Sequence, residues 1–518
     1  MYLPIPPFMR FSFADSRIPI ATVTITLWLT SLVSLQAGSF ELHEQSVSGL
    51  GTAYAGGAAQ AEDSSTIFFN PAGIALLDRG ELQGGAQGIL PSARFTNQGS
   101  QLVAPGTPFD GEPLSGGNGG DGGVDHVLPN VYLSQPVFRS SQYGDLAVGF
   151  GLSVPWGLET DYDPGWVGRY QALRTKLQTF DLQPTIAYRL FDRISIGVGL
   201  DIQYASARLS QAIDFGGIGA NALGQFFPVL EQQLLAARVP PAAIPGIISA
   251  TQAAYARAGF VPQGHDGVGE VHGDDWAVGF TIGAILEYLK PGQVSFLQDG
   301  RFGFSYRSAI SHKITGSAQF SNVPSIVAPG VPFPFPLPGA LQSVFFNQSV
   351  SANLQLPEIY HFSLYQRFLQ NFAIMGDIEW TRWSELQRLD IIFSNPATPV
   401  NALILDYKDS LRYSIGLEWY ANRNLTLRTG FAYDETPIRS ASLRNPRIPD
   451  NDRYFLSAGL QWKPTSYLAF DLGYAHLFSH DPQVNFTDTE GHNLTGKFQI
   501  GIDIISASAT FSWGGPKE

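Results

Sequence analysis

The chain has 518 residues, of which 44% are hydrophobic and only 14% charged; soluble domains carry about a quarter charged residues, so this one is short of the groups that keep a surface wet. A net charge of −13 argues against nucleic acid, which calls for a basic patch, and the absence of cysteine removes disulfides, thiol catalysis and cysteine-ligated metals.

At the N-terminus, Arg10 and Arg17 precede an apolar run over 18–35, and small residues follow at Ala37 and Gly38. Basic, apolar, then small is the order of a secretory signal, with cleavage expected near Ala37/Gly38 and Met9 as an alternative start. An uncleaved anchor helix is the competing reading, because the run approaches spanning length. Beyond residue 40 no stretch approaches ~18 consecutive apolar residues, so helical membrane spans are not expected. A secreted β-rich protein or an outer-membrane barrel remain.

The next segment, "SGLGTAYAGGAA", is almost all small residues, and "DSSTIFFNPAGIALLD" (63–78) follows it. Pro71 lacks an amide N–H and ends an element cleanly. Asn70 bonds nearby backbone and tolerates unusual dihedrals. The stretch reads as an ordinary turn before a strand or as a fixed corner.

From residue 81 to 513 about fourteen segments alternate large apolar with small or polar residues. In "ISIGVGLDIQY", Ile194, Ile196, Val198, Leu200, Ile202 and Tyr204 share one face; Ser195, Gly197, Gly199, Asp201 and Gln203 share the other. Short joins such as "FDR" (191–193) and "ANR" (421–423) separate some segments, and long loops separate others, as in a barrel with two unlike rims. A soluble β-sandwich also alternates, but rarely keeps so many small residues opposite so many large ones. The fold class is therefore all-β, a transmembrane antiparallel barrel of about 14 strands.

Two long external loops are expected. Residues 213–271 read as short helices broken at Pro240, Pro241 and Pro245, with Phe226, Phe227, Leu230 and Leu234 on one apolar face that either packs on the other long loop or receives an apolar ligand in a groove. Residues 317–349 are proline-rich and apolar. "HDGVGEVHGDD" (265–275) is read as a polar lip and "GGNGGDGGV" (116–124) as a flexible loop, so neither is taken as a metal site, and no cofactor is implied. There is no G-x-S-x-G elbow and no H-E-x-x-H, so an enzyme is disfavoured. The low charge likewise disfavours an open porin.

"GSFELHEQSVSGLGTAYAGGAAQAEDSSTIFFNPAGIALLD" (38–78), "YRLFDRISIGVGLDIQYASARL" (188–209), "YKDSLRYSIGLEWYANRNLTLRTGFAYDETP" (407–437) and "NPRIPDNDRYFLSAGLQW" (445–462) resemble the FadL-type family of outer-membrane long-chain fatty acid transporters, which includes TodX-like importers of aromatic hydrocarbons. The resemblance covers nearly the whole chain after the signal. It implies a signal peptide over 1–37, a small plug over 38–78 inside the lumen, a barrel over 79–513 and an extension over 514–518. It also implies a monomer embedded in outer-membrane lipid, carrying a fatty acid or, alternatively, a neutral hydrocarbon to a lateral exit. Carried over by position, Gly38, Ser39, Phe40, Glu41 and Leu42 touch the ligand, and Asn70, Pro71 and Ala72 form the plug corner. The third-strand kink falls in "GFGLSVPWG", at Gly149, Gly151 and Pro155. A fatty acid carboxylate needs a cation; Arg169 and Lys408 are the first candidates, ahead of Lys176, Arg189, Arg307 and Arg412. One departure is "GGPKE" after Trp513, where family chains end on an aromatic residue.

Overall fold

A computed structural model of the chain describes residues 39–140, 143–325 and 337–514, the side chains of 337–339 excepted. The expected signal, Gly38 and the last four residues lie outside the described residues.

The strand alternation reads inside out. Ile194, Ile196, Val198 and Leu200 are 41–47% exposed, whereas Ser195, Asp201 and Gln203 are 1% exposed or less. A soluble sheet hides its aliphatic face; a sheet that turns it outward and keeps its polar face inside is built for hydrocarbon.

Fourteen antiparallel strands result. In chain order they are β1 (Gly80–Asn97), β2 (His126–Ser140), β3 (Gly144–Ser153, resumed over Gly157–Asp161), β4 (Arg174–Leu190), β5 (Ile194–Asp214), β6 (Asp266–Leu289) and β7 (Leu297–Arg307, resumed over Ile310–Ser321). Then come β8 (Gln348–Leu356, resumed over Ile359–Phe368), β9 (Phe372–Thr381, resumed over Arg388–Phe393), β10 (Asn401–Ile404, resumed over Ser410–Tyr420), β11 (Leu425–Asp434), β12 (Arg453–Thr465), β13 (Leu468–Ser479, resumed over Gln483–Thr487) and β14 (His492–Trp513). β1 and β14 pair from Gly80↔Trp513 to Asn97↔Gly496, which closes the sheet and removes its edges. Short turns lie at the end that holds Gly80 and Trp513, and long loops at the other, the periplasmic and external rims respectively.

β7 breaks at Ser308 and Ala309, β8 at Pro357 and Glu358, and β9 at a stretch that holds a 3-10 turn over Trp383–Glu385. Pro357 has no N–H for the ladder. The long loops are shorter than expected, because β5 and β6 run out to Asp214 and Asp266, while β7 and β8 reach Ser321 and Gln348. The stretch "HDGVGEVHGDD" is mostly ladder of β6 rather than a loop lip. The glycine-rich loop is pinned, not free: Asp121 accepts from Ala93 N at 2.7 Å and from Ser92 Oγ at 2.8 Å on β1.

Residues 39–77 fill the lumen. They form α1 (Val47–Leu50), α2 (Thr66–Phe69) and a 3-10 turn over Pro71–Leu76. Leu50 and Tyr54 pack on Ala432, Phe455, Leu477 and Ile504 of β11 to β14. Ile67 and Ile74 pack on Tyr132, Ala147 and Ala187 of β2 to β4. The backbone comes so close that a Cβ on Gly197 or Gly283 would overlap Ala72 N or Asn70 Oδ1. The small residues that alternate along the strands are thus the space into which this segment fits.

Candidate functional site

The wall has a gap at β3. Its ladder with β2 stops at Val131↔Leu152, and when the strand resumes at Gly157 it pairs with β4 alone, Gly157↔Gln178. Between these points Val154, Pro155 and Trp156 leave the ladder. A single bridge, Gly123↔Thr160, bounds the gap on the external side. Pro155 has no N–H to give. The N-terminal segment supplies the missing partners: Leu42 N donates to Pro155 O at 2.9 Å and Gly157 N to Phe40 O at 3.1 Å.

Behind the gap lies a cavity of about 200 Å³, lined by Phe40, Leu42, Leu128, Leu158, Leu177, Ile448 and Ile502. Phe40 sits edge-on to Trp383 at 4.7 Å between ring centroids and to Trp156 at 6.0 Å, and Trp383 meets Tyr407 at 5.8 Å. Ser39 Oγ donates to Tyr407 Oη at 3.3 Å. Two cations reach the lining: Lys176, 2.8 Å from Glu159, and Arg453, 2.9 Å from Asp434. Asp450, in the loop before β12, also lines it; burial pushes its carboxyl up to about 7. The chamber can take an elongated apolar molecule whose polar end meets charged groups, with the wall gap beside it.

The structure gathers Ser39 to Leu42 at the β3 break. Asn70, Pro71 and Ala72 are buried at β6 and β7: Asn70 Nδ2 lies 2.6 Å from Ala58 O, 3.1 Å from Ala284 O and 3.2 Å from Phe304 O, and Asn70 Oδ1 caps Ala72 N at 3.0 Å. Gly149 and Gly151 are not at the kink. They sit in unbroken ladder with Ser134 and Tyr132, where their missing side chains make room for Ile67; only Pro155 lies in the break. Arg169 is not a cavity residue either, because its guanidinium is consumed by Asp266 at 2.7 Å and by Ser115 O and Tyr170 Oη. Lys408 lies outside the lining as well, in the interruption of β10, where its backbone N donates to Pro437 O at 3.0 Å.

The expected apolar face on the large external loop is divided. In α3 (Phe215–Ala236), Leu230 and Leu234 are sealed against Ile244 of α4 (Ile244–Arg257), with Phe226 partly buried beside them. Phe227 lines an open external depression of about 820 Å³, whose other walls are residues 102–109 and 487–492. The described residues of 317–349 take no part in that lining. Trp156, Trp383, Arg453 and Asp450 escaped the sequence reading because no local pattern marks a lumen residue; the second tryptophan in "WTRWSEL" was the only hint.

The family model "Outer membrane protein transport protein (OMPP1/FadL/TodX)" matches residues 29–513. The chain belongs to the FadL/TodX family of outer-membrane transport proteins. Among curated relatives, the long-chain fatty acid transport protein of Escherichia coli O6:H1 is 30% identical over 470 residues, covering 89% of this chain and 91% of the relative. Outer membrane protein P1 of Haemophilus influenzae is 25% identical, covering 87% and 88%. Among solved structures, a Pseudomonas aeruginosa FadL homologue aligns with a TM-score of 0.71 at 24% identity over 92% of this chain and all of that one. The Pseudomonas putida toluene transporter TodX aligns at 0.59 and 15% identity, over 92% and 99%. These last two speak to the fold alone. As a FadL/TodX protein the chain is an outer-membrane barrel that transports hydrophobic molecules.

Proposed function

We propose that this FadL/TodX protein carries long-chain fatty acids inward by diffusion, with residues 39–42 as the inner face of the ligand chamber and the β3 gap as a lateral exit into the membrane. The observation that carries this reading is the exchange of backbone hydrogen bonds between the N-terminal segment and the broken strand. A small shift of residues 40–42 would free the gap at the point where the apolar chamber abuts it. In this reading 38–78 is a plug cornered at Asn70, Pro71 and Ala72, 1–37 is a cleaved export signal, and Phe227 belongs to the outer capture groove. The barrel works as a monomer in outer-membrane lipid, and no chemical step is involved. Each chamber binds by burying apolar ligand surface, at roughly 25 cal/mol per Å².

A second reading, neutral hydrocarbons, is favoured by one feature: both cations at the chamber already face carboxylates. The test is a titration of the refolded protein followed by tryptophan fluorescence, comparing oleate with an alkane of similar length and with toluene. Preference for oleate supports the fatty acid reading, with Lys176 and Arg453 holding the carboxylate. Equal or tighter binding of the neutral ligands replaces it with the hydrocarbon reading.

A further inference from the structure

We propose that the protein binds one divalent transition metal ion of the zinc class between the N-terminal segment and the barrel wall, with Glu41, His43 and Glu379 as its protein ligands. Residues two apart in an extended segment project to the same side, and Glu41 is extended, bridged to Trp156. Glu41 and His43 therefore face the wall together. On that wall Glu379 of β9 stands directly opposite His361 of β8.

His43 Nε2 lies 2.6 Å from Glu379 Oε1 and 3.9 Å from Glu41 Oε1, and the three donor atoms fall within 4.8 Å of one another. Zinc bonds of roughly 2.0–2.2 Å set tetrahedral ligand atoms about 3.4 Å apart. The first contact must open and the second close by less than about 1 Å. The three side chains are 8–10% exposed, so the set is sealed from bulk water.

The surroundings fit a cation. His361 Nε2 is held by Asp377 Oδ2 at 2.9 Å, which leaves Nδ1 aimed at Glu379 Oε2, 3.9 Å away. Metal-ligating carboxylates are supported by polar groups behind them, and His361 stands in that place behind Glu379. Three carboxylates (Glu41, Glu379 and Asp377) and two imidazoles (His43 and His361) meet here, with His43 on Glu379 and His361 on Asp377. A dication bound in place of a proton on His43 would keep the buried carboxylates compensated. A cavity of about 30 Å³ adjoins Glu41, His43 and Glu379, enough for one water as a fourth ligand. The ion would fasten the segment that carries Phe40 and Leu42 to the wall, whichever apolar molecule is transported.

The test uses the full chain in detergent, equilibrated with zinc and then dialysed, with metal per protein read by mass spectrometry. About one zinc per chain is expected to remain. Glu41→Gln, which keeps an acceptor for the Thr381 hydroxyl, and His43→Asn should each weaken retention about tenfold or more. His272→Gln, on the external face, should leave it unchanged. Heat-modifiable gel migration confirms that each barrel is folded. Retention of no zinc by the parent chain, or equal retention by the parent, Glu41→Gln and His43→Asn, overturns the proposal.

Discussion

Gln45 holds both backbone polar groups of Val154: its Nε2 donates to Val154 O at 2.7 Å, and Val154 N donates to its Oε1 at 3.0 Å. Tyr132 Oη in turn donates to Gln45 O at 2.8 Å. One side chain of the N-terminal segment thus replaces two ladder bonds that β2 does not make at the break. Gln45→Ala leaves two buried groups unpaired, at about 1–3 kcal/mol each. Amide exchange over 152–157 should accelerate while the rest of the barrel keeps its protection. Unaltered exchange there would show that Gln45 does not clamp the gap.

Phe40 fills the space between Trp156 and Trp383, so its ring is both chamber wall and contact surface. Phe40→Ala should weaken oleate binding about tenfold, which corresponds to about 1.4 kcal/mol. Tryptophan fluorescence titration reads this directly. An affinity equal to the parent's would place the ligand elsewhere.

Gly283 has no room for a methyl group beside Asn70 Oδ1. Gly283→Ala should push the corner off the wall, exposing 39–77 to protease and raising conductance to small solutes, while the barrel keeps its heat-modifiable gel mobility. Deleting 38–60 should raise that conductance further. If the deletion conducts like the intact protein, the segment is no plug.

Asp450 couples the chamber to pH. Burial pushes its carboxyl up to about 7; Asp434 adds to the shift, while Arg453, Arg444 and a bond from Thr436 Oγ1 oppose it. The folded chain therefore holds this proton more tightly than the unfolded chain. The resulting stability is complete below the ordinary carboxylate range and is lost as pH rises through about 7. Ionised Asp450 also repels a ligand carboxylate. Oleate affinity should fall between pH 6 and 8, alkane affinity should not, and Asp450→Asn should flatten the oleate profile. An identical oleate profile in Asp450→Asn would assign the dependence to oleate itself.

Much of the fold was legible because a barrel strand is a local pattern. In "ISIGVGLDIQY" the period of two states both faces at once, whereas the backbone chemistry of Asn70-Pro71 fits an ordinary turn and a fixed corner alike. Of the expected site residues, Ser39 to Leu42 reach the chamber lining, and they lie in one stretch. Lumen contacts are non-local: Asn70 meets carbonyls more than 200 positions away, and His43 meets Glu379 across 336. Arg169 and Lys408 were chosen by charge, yet charge does not tell which carboxylate a folded chain brings near. Asp266 took the first.

The sequence by itself determined the outward aliphatic face and the strand alternation, since both follow from side-chain size at each place along a strand. Tertiary structure alone decided that the break is completed by Leu42 and Gln45 and that Asp450 and Arg453 line the chamber. It also decided that Leu230 and Leu234 are sealed inside a helical hairpin. Closing fourteen strands into a ring sets neighbours by register and circumference rather than by sequence distance, and no local pattern carries that information.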